Sequence, residues 1–518
     1  MSENSEIELK ATFHPEQFDR IKNLPAIKKH AFGRTRSRKL HTVYYDTPDY
    51  ALRRQGLSLR VREIGNAYVQ CVKQTDKQLG CMLVRDEWEG PVPSQDPAIS
   101  VIDNKTLRGR IKRAGGKDLR PVFQTDIQRT SRALRFEDGS TATLDLDIGE
   151  IVAGDDSAPI CELELELDSG APEWLFDLAS EIRKAVPFRL ATLGKATRGY
   201  ALITQDILQP SKPTNLDLAK DATVEQVLTE VVQHCLDHLQ ANEPFLLTSD
   251  DTEGVHQVRV ALRRMRAALQ LFKSALPEEQ FGWIVAEAKW LTGELSAVRA
   301  WDVFAEEFVA PVATFHSADE GFDALSSAVN LARQQSYHRA RDVILSERYT
   351  DFLLRVSAWL SSRAWRKQAV SEQTARLLDP IVEHCSKLLR KRDSRVRKQC
   401  QKFEDLSDAE LHELRLAVKK LRYAVDFFEN LYPTKRVKPY RKRLAKLQDG
   451  LGYLNDVVTA DALAHELAGK GEKQLASTVT YAGGLTVGWH RHAALAVKRQ
   501  LAKDVSRFLV SKPFWLDA

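Results

Sequence analysis

The chain opens on an alternation of period two. In Glu6-Ile7-Glu8-Leu9-Lys10 charged and branched apolar residues take turns, as a half-buried strand requires. Glu6, Glu8 and Lys10 then share one face, and Ile7 and Leu9 the other. The same period recurs at residues 42–46, 57–62, 68–73, 82–88, 141–147 and 161–167. In the last of these Glu162, Glu164 and Glu166 share a face, where they repel one another unless cations lie between them. In the 57–62 strand Arg60 and Arg62 share a face, and two inward guanidinium groups cannot be buried bare, so they need anions. Acidic strands at both ends, with Arg60, Arg62, Lys73, Arg85 and Arg129 between them, predict a pocket for a metal-complexed polyanion. So many antiparallel strands with charged inner faces predict a closed barrel, every strand having one face on the lumen. One helix interrupts them at residues 14–24, opened by Pro15, carrying Phe18, Ile21 and Leu24 at helical spacing, and stopped by Pro25.

Residues 206–222, with Pro210, Ser211, Lys212, Pro213 and Thr214, read as a connector. Beyond it, from residue 224 to about 502, the period becomes helical. A segment within this half repeats at an offset of 156 residues (412 − 256), His256 aligning with His412 and Arg266 with Arg422. Val255, Val258, Leu262 and Met265 form an apolar stripe in the first copy, and Leu411, Leu414, Val418 and Leu421 form it in the second. His256, Arg259, Arg263 and Arg266 share another face, as do His412, Arg415, Lys419 and Arg422. Clustered cations destabilise a bare helix, so such stripes await an anion. The expected architecture is α+β multidomain: an antiparallel closed β-barrel followed by an all-α helical bundle with internal twofold repeat.

Composition adds bounds. At 518 residues and 43% hydrophobic, the chain holds at least two ordinary globular domains. Its six cysteines form no CxxC pair, which argues for reduced thiols and against a zinc site or disulfide framework. Residues 1–10 are acidic and polar with no apolar leader, and no run approaches the roughly 18 apolar residues of a membrane span. A soluble, cytoplasmic protein with no membrane partner is expected. The net charge of +5 identifies no partner by itself. The basic helices carry few interleaved aromatics and no recognisable DNA or RNA motif, so no specific nucleic acid is expected. Cations around His256 and His412 also oppose a metal there.

In order, these motifs resemble the CYTH domain of the triphosphate tunnel metalloenzymes. The resemblance rests on the Glu-x-Glu-x-Lys opening, the Arg-x-Arg strand, the later Lys and Arg strands and the Glu-x-Glu strand. It ends with the closing Gly194-Lys195-Ala196-Thr197-Arg198-Gly199-Tyr200, about 205 residues in all, and residues 159–167 look like the bacterial inorganic triphosphatases of that family. The resemblance implies a tunnel in which Lys10, Arg60, Arg62, Lys73, Arg85, Arg129, Lys195 and Arg198 contact phosphate. It further implies that Glu6, Glu8, Glu162 and Glu164, joined by Asp147 and Glu166, hold Mg2+ or Mn2+, with Glu6, Glu8 and Lys10 at the catalytic centre. The implied reaction is hydrolysis of inorganic triphosphate to pyrophosphate and phosphate. Left open are hydrolysis or cyclisation of an organic triphosphate, such as thiamine triphosphate or ATP, and a non-catalytic polyphosphate-binding scaffold.

The helical half resembles the CHAD domain, a helical bundle with internal twofold repetition. This implies that inorganic polyphosphate is bound by His256, Arg259, Arg263 and Arg266 facing His412, Arg415, Lys419 and Arg422. Protonation of the two histidines near pH 6 is expected to strengthen that binding. One departure is Arg299-Ala300-Trp301-Asp302-Val303, where the family commonly has Arg-Asp-x-Asp-Val and Ala300 removes a carboxylate. The expected domains are residues 1–205, a linker at 206–222, and residues 223–518.

Overall fold

The computed structural model describes residues 5–74, 77–116, 118–204, 209–316, 319–468 and 473–516. Its contacts divide it into two compact units, Met1–Gln209 with Leu345–Ala364, and Pro210–Ile344 with Trp365–Ala518.

The first unit is a curled antiparallel sheet. Its strands are β1 (Ser5–Phe13), β2 (Ala31–Asp46), β3 (Leu57–Ile64), β4 (Ala67–Gln74), β5 (Lys77–Leu79), β6 (Met82–Val92), β7 (Arg120–Arg135), β8 (Thr141–Ala153), β9 (Asp156–Ser169) and β10 (Phe188–Leu190). Their order is β10-β1-β9-β8-β7-β2-β3-β4-β6-β5, and β1 also pairs with β6 along Ser5–Leu9. That extra pairing joins strands from opposite ends of the order. The apolar positions of β2, β3, β4 and β6, among them Val43, Leu59, Val61, Val72 and Trp88, pack with Leu107 and Ile111 of the Lys105–Arg113 helix. Their charged positions are thereby left on the concave face.

Two local features differ from the sequence expectation. The helix expected at 14–24 is a 3-10 turn, Pro15–Gln17, running into Phe18–Lys22. Pro25 does not stop it. It opens a second helix, Pro25–His30, at a first-turn position where its missing N–H leaves no hydrogen bond unmade. Strand β2 also starts at Ala31, well before the alternation legible at 42–46.

The helix Glu347–Ser361 belongs to this unit. Arg183, on the Glu173–Ala185 helix, meets Glu347 at 2.7 Å and Asp351 at 3.2 Å. The backbone N–H of Cys81, in the turn between β5 and β6, donates to Ser357 Oγ at 3.0 Å.

The second unit is helical. The repeated segments form the helices Thr252–Leu271 and Asp408–Phe428, the first capped by Asp251 and the second by a Ser407–Glu410 capping box. Val255, Val258, Leu262 and Met265 are fully buried in one, and Leu414, Val418 and Leu421 in the other. Phe272 and Phe428, just past or at their ends, meet edge to face at 6.4 Å. Among the described residues no helix is long and apolar enough to cross a membrane. All six cysteines are free thiols.

Candidate active site and basic helical face

The concave face of the first unit encloses a cavity of about 800 Å³. Cross-strand register builds the charged face around it row by row. Lys10 of β1 stands opposite Glu164 of β9, which stands opposite Asp145 of β8. Asp147 of β8 lies between Arg129 of β7 and Glu162 of β9. Carboxylates facing one another across a ladder repel, and here cations bridge them. Arg129 contacts Asp147 through Nε and Nη2 at 2.7 and 2.6 Å, Asp145 at 2.5 Å and Glu164 at 2.7 Å. Lys195, at the start of the Lys195–Thr204 helix, meets Glu162 at 2.6 Å, Glu164 at 2.7 Å and Asp147 at 2.9 Å. Lys10 bridges Glu8 at 3.0 Å and Glu164 at 3.1 Å. Burial works against the Glu164 charge, but Lys10, Lys195 and Arg129 hold its carboxyl well below the usual range.

A second set lines the cavity from β1, β3, β4 and β6. Lys73 lies between Glu6 at 2.9 Å and Glu87 at 2.7 Å, and Arg60 approaches Glu87 at 3.5 Å. The Cys71 thiol donates to Glu87 at 2.8 Å, and burial pushes its pKa up to about 12. Cys71, Glu87 and Glu89 offer ligand atoms within 4.8 Å of one another, but Lys73 and Arg60 already occupy Glu87 and oppose a cation there.

Two cavity residues stand apart. Arg62 donates only to Thr42 Oγ1, at 3.4 Å, and has no carboxylate partner among the described residues; Arg60 beside it, together with burial, presses its guanidinium down to about 10. Glu166 makes no hydrogen bond or ion pair among the described residues. Burial, with Glu6 beside it, pushes its carboxyl up to about 7.

Glu6, Glu8, Lys10, Arg60, Arg62 and Lys73 thus line one cavity together with Arg129, Glu164, Glu166 and Lys195. Asp147, Glu162 and Arg198 are not on its wall. Asp147 is fully buried against Arg129 and Lys195, and Glu162 is held by Lys195 and by Arg198 at 2.7 Å. The side chain of Arg85 lies outside the described residues. Sequence reasoning missed Glu87 and Asp145, which strand parity alone could have found, since each lies two residues from Arg85 or Asp147 and so shares its face. It also missed Arg34, Arg36 and Arg38 on β2.

In the second unit the two stripes come together electrostatically. Burial, with Arg415 and Arg263 beside it, pushes the Lys419 ammonium down to about 7, against the pull of Asp456 and with a further push from Arg259. Arg259 donates to Thr292 O at 2.7 Å and Ser296 Oγ at 2.8 Å, and Arg415 lies 3.9 Å from Asp456. The Nε atoms of Arg259, Arg263, Arg266 and Arg415 are buried without a hydrogen-bond partner. Arg422 lies 3.8 Å from Asp426 on its own helix. His412 Nδ1 and Asn455 Oδ1 are 2.8 Å apart.

Protonation near pH 6 is opposed at His256 in the unliganded domain, where burial, with Arg299 beside it, pushes the imidazole down to about 4. Asp302, left beside Ala300, is fully buried and accepts from Arg333 at 3.0 Å and Tyr337 at 3.1 Å, so it does not steer the basic stripe.

Comparison with known proteins finds two families along the chain. The CYTH domain family matches residues 4–200 and the CHAD domain family matches residues 230–465. The chain is a two-domain protein of the CYTH–CHAD type, with a CYTH domain followed by a CHAD domain. An inorganic triphosphatase of Haemophilus influenzae is 27% identical over 230 residues, which are 42% of this chain and 64% of that relative, so the chain spans less than two thirds of it. A solved CHAD domain from the plant Ricinus communis is 29% identical, covering 59% of this chain and 98% of its own, with a TM-score of 0.48. The Hippeastrum protein HpAC1, described as having a dominant triphosphatase activity, is 17% identical over 38% of this chain and 95% of its own, with a TM-score of 0.29.

Proposed function

We propose that the CYTH domain forms a closed tunnel that hydrolyses inorganic triphosphate to pyrophosphate and phosphate with a divalent metal. The observation that carries this reading is the pair of unmatched charges in one cavity. Among the described residues Arg62 has no carboxylate partner and Glu166 no ion-pair partner, and a triphosphate bound with a divalent cation supplies both. The donors beside Glu166 are carboxylates, the hard oxygen ligands that suit magnesium or manganese, and Glu6, Glu8, Glu164 and Glu166 would hold the ion. When bound, it neutralises phosphate oxygens and polarises a water.

The chain's own groups do the rest. Lys10, Arg60, Arg62, Lys73, Arg129 and Lys195 orient the phosphates, all but Arg62 exchanging a carboxylate partner for phosphate oxygens. Water attacks the terminal phosphorus, the bridging P–O bond breaks, and pyrophosphate leaves with the bridging oxygen. A carboxylate of the Glu6 and Glu8 pair accepts the water's proton. The test is product analysis after incubation with triphosphate, ATP and thiamine triphosphate, with Mg2+, Mn2+ or chelator. Pyrophosphate plus phosphate from triphosphate, abolished by chelator, is expected. Cyclic AMP as the main product would overturn the reading.

For the CHAD domain we infer binding of inorganic polyphosphate on the His256 and His412 stripes, arranged as two pseudo-equivalent halves. The partnerless guanidinium Nε atoms support it, because a buried donor left unpaired costs free energy that a phosphate oxygen recovers.

A further inference from the structure

Strand β2 carries a row of cations that the triphosphate site does not use. Arg34, Arg36 and Arg38 are exposed, line the same cavity, and have no ion-pair partner among the described residues. Their direction follows from the residues between them. Ser37 Oγ meets Thr130 Oγ1 at 3.2 Å, and Arg132 donates to Thr35 at 2.8 Å, so the alternate positions are tied to β7 on the opposite face. The row is continuous with the inner cations, since Arg38 stands opposite Arg129 in the ladder and Arg36 opposite Ser131. Successive members lie about 6.6 Å apart at the rise of a strand. A register shift between Phe32 and Arg36, with Gly33 at a φ of +71°, bends the strand and carries Arg34 further along. Like charges in register repel, and a polyanion laid along them removes the repulsion.

We propose that Arg34, Arg36 and Arg38 extend the cavity into a binding row for linear inorganic polyphosphate longer than three phosphates. The inference rests on the triphosphatase reading and names a longer substrate for the same site. The inner cations match a triphosphate already, so an outer row is surplus for that ligand and serves only a longer one. Phosphate without base is favoured because Phe32, the aromatic ring at this end, has the Arg135 guanidinium 4.5 Å from its ring centroid. That ring face is not free for a nucleobase to stack on.

The test compares wild-type full-length protein with Arg34→Gln/Arg36→Gln and Arg34→Lys/Arg36→Lys. For each, kcat/KM is measured with triphosphate, tetraphosphate and long polyphosphate. The ratio of long-chain to triphosphate kcat/KM is expected to fall about tenfold in the Gln variant and to be largely restored in the Lys variant, because each lost phosphate contact costs affinity. Any capture by the CHAD domain is common to all three proteins and cancels in the comparison. An unchanged ratio overturns the proposal. Calorimetric titration of tetraphosphate, triphosphate and a single-stranded oligonucleotide in chelator, without turnover, reads the row separately. If wild-type protein hydrolyses neither substrate, the triphosphatase reading fails, while selective loss of tetraphosphate affinity in the Gln variant still supports the row. An equal loss for both ligands, or a larger loss for a single-stranded oligonucleotide, overturns it.

Discussion

At the scale of single residues, two neighbouring glutamates on one face of β9 have opposite roles in stability. Glu164 neutralises Lys10, Lys195 and Arg129, all within 3.1 Å. Replacing it with Gln leaves buried cations short of an anion, a change that typically costs about 3–5 kcal/mol. Glu166 has no ion-pair partner among the described residues, and replacing it with Gln relieves its repulsion with Glu6 and Glu8. Urea denaturation in chelator should therefore show a clear loss for Glu164→Gln and none for Glu166→Gln. Both should lower metal-dependent turnover, by roughly a hundredfold if each charge acts near the developing phosphoryl charge. Equal destabilisation of the two variants would mean that Glu166 has a partner in solution. Glu162 and Asp147 belong with Glu164 in this respect, since both are buried against cations.

At the scale of elements, legibility followed hydrophobic contrast. Strands with one apolar and one charged face, such as β1, β3, β4 and β9, announce themselves by alternation. The first half of β2 does not, because Thr35 and Ser37 bond polar groups on one face while Arg34, Arg36 and Arg38 occupy the other. No apolar period exists there to be read. The helix Glu347–Ser361 was legible as a helix, but its period carries no address, and its place in the first unit depends on contacts remote in sequence. Ser357 lies 276 residues from Cys81, whose amide it accepts. Both are buried, so Ser357→Ala leaves that amide unsatisfied at the turn leading into β6, at a cost of about 1–3 kcal/mol. Hydrogen exchange at the Cys81 amide should accelerate in that variant, and an unchanged rate would show the bond to be absent in solution. A similar constraint fixes Gly199, where an added Cβ would lie 2.2 Å from the Phe123 ring. Gly199→Ala should destabilise the domain through overpacking by about 1–3 kcal/mol, read as a lower urea midpoint.

At the scale of the whole molecule, a net charge of +5 conceals two arrangements of charge. In the CYTH domain nearly every inner cation among the described residues has a carboxylate partner. In the CHAD domain burial, with Arg415, Arg263 and Arg259 crowding it and Asp456 pulling the other way, brings the Lys419 pKa from 10.5 down to about 7. The unfolded chain therefore binds the lysine proton across a window in which the folded chain has released it. Stability consequently rises with pH from about 7 towards 10.5, and below about 7 the cost of the crowded charge is borne in full. A bound polyphosphate favours the ammonium form and reverses this. Binding at about pH 8 should take up a proton at Lys419 that binding well below pH 7 does not. Calorimetry of the full chain with long polyphosphate, in two buffers of different ionisation enthalpy, reads that uptake directly. Lys419→Arg should keep the affinity and lose the uptake, because a guanidinium stays charged throughout. Lys419→Gln should lose both, and its affinity should fall less steeply with salt, since one phosphate contact fewer releases fewer counterions. Uptake that persists unchanged in Lys419→Arg would place the titrating group elsewhere.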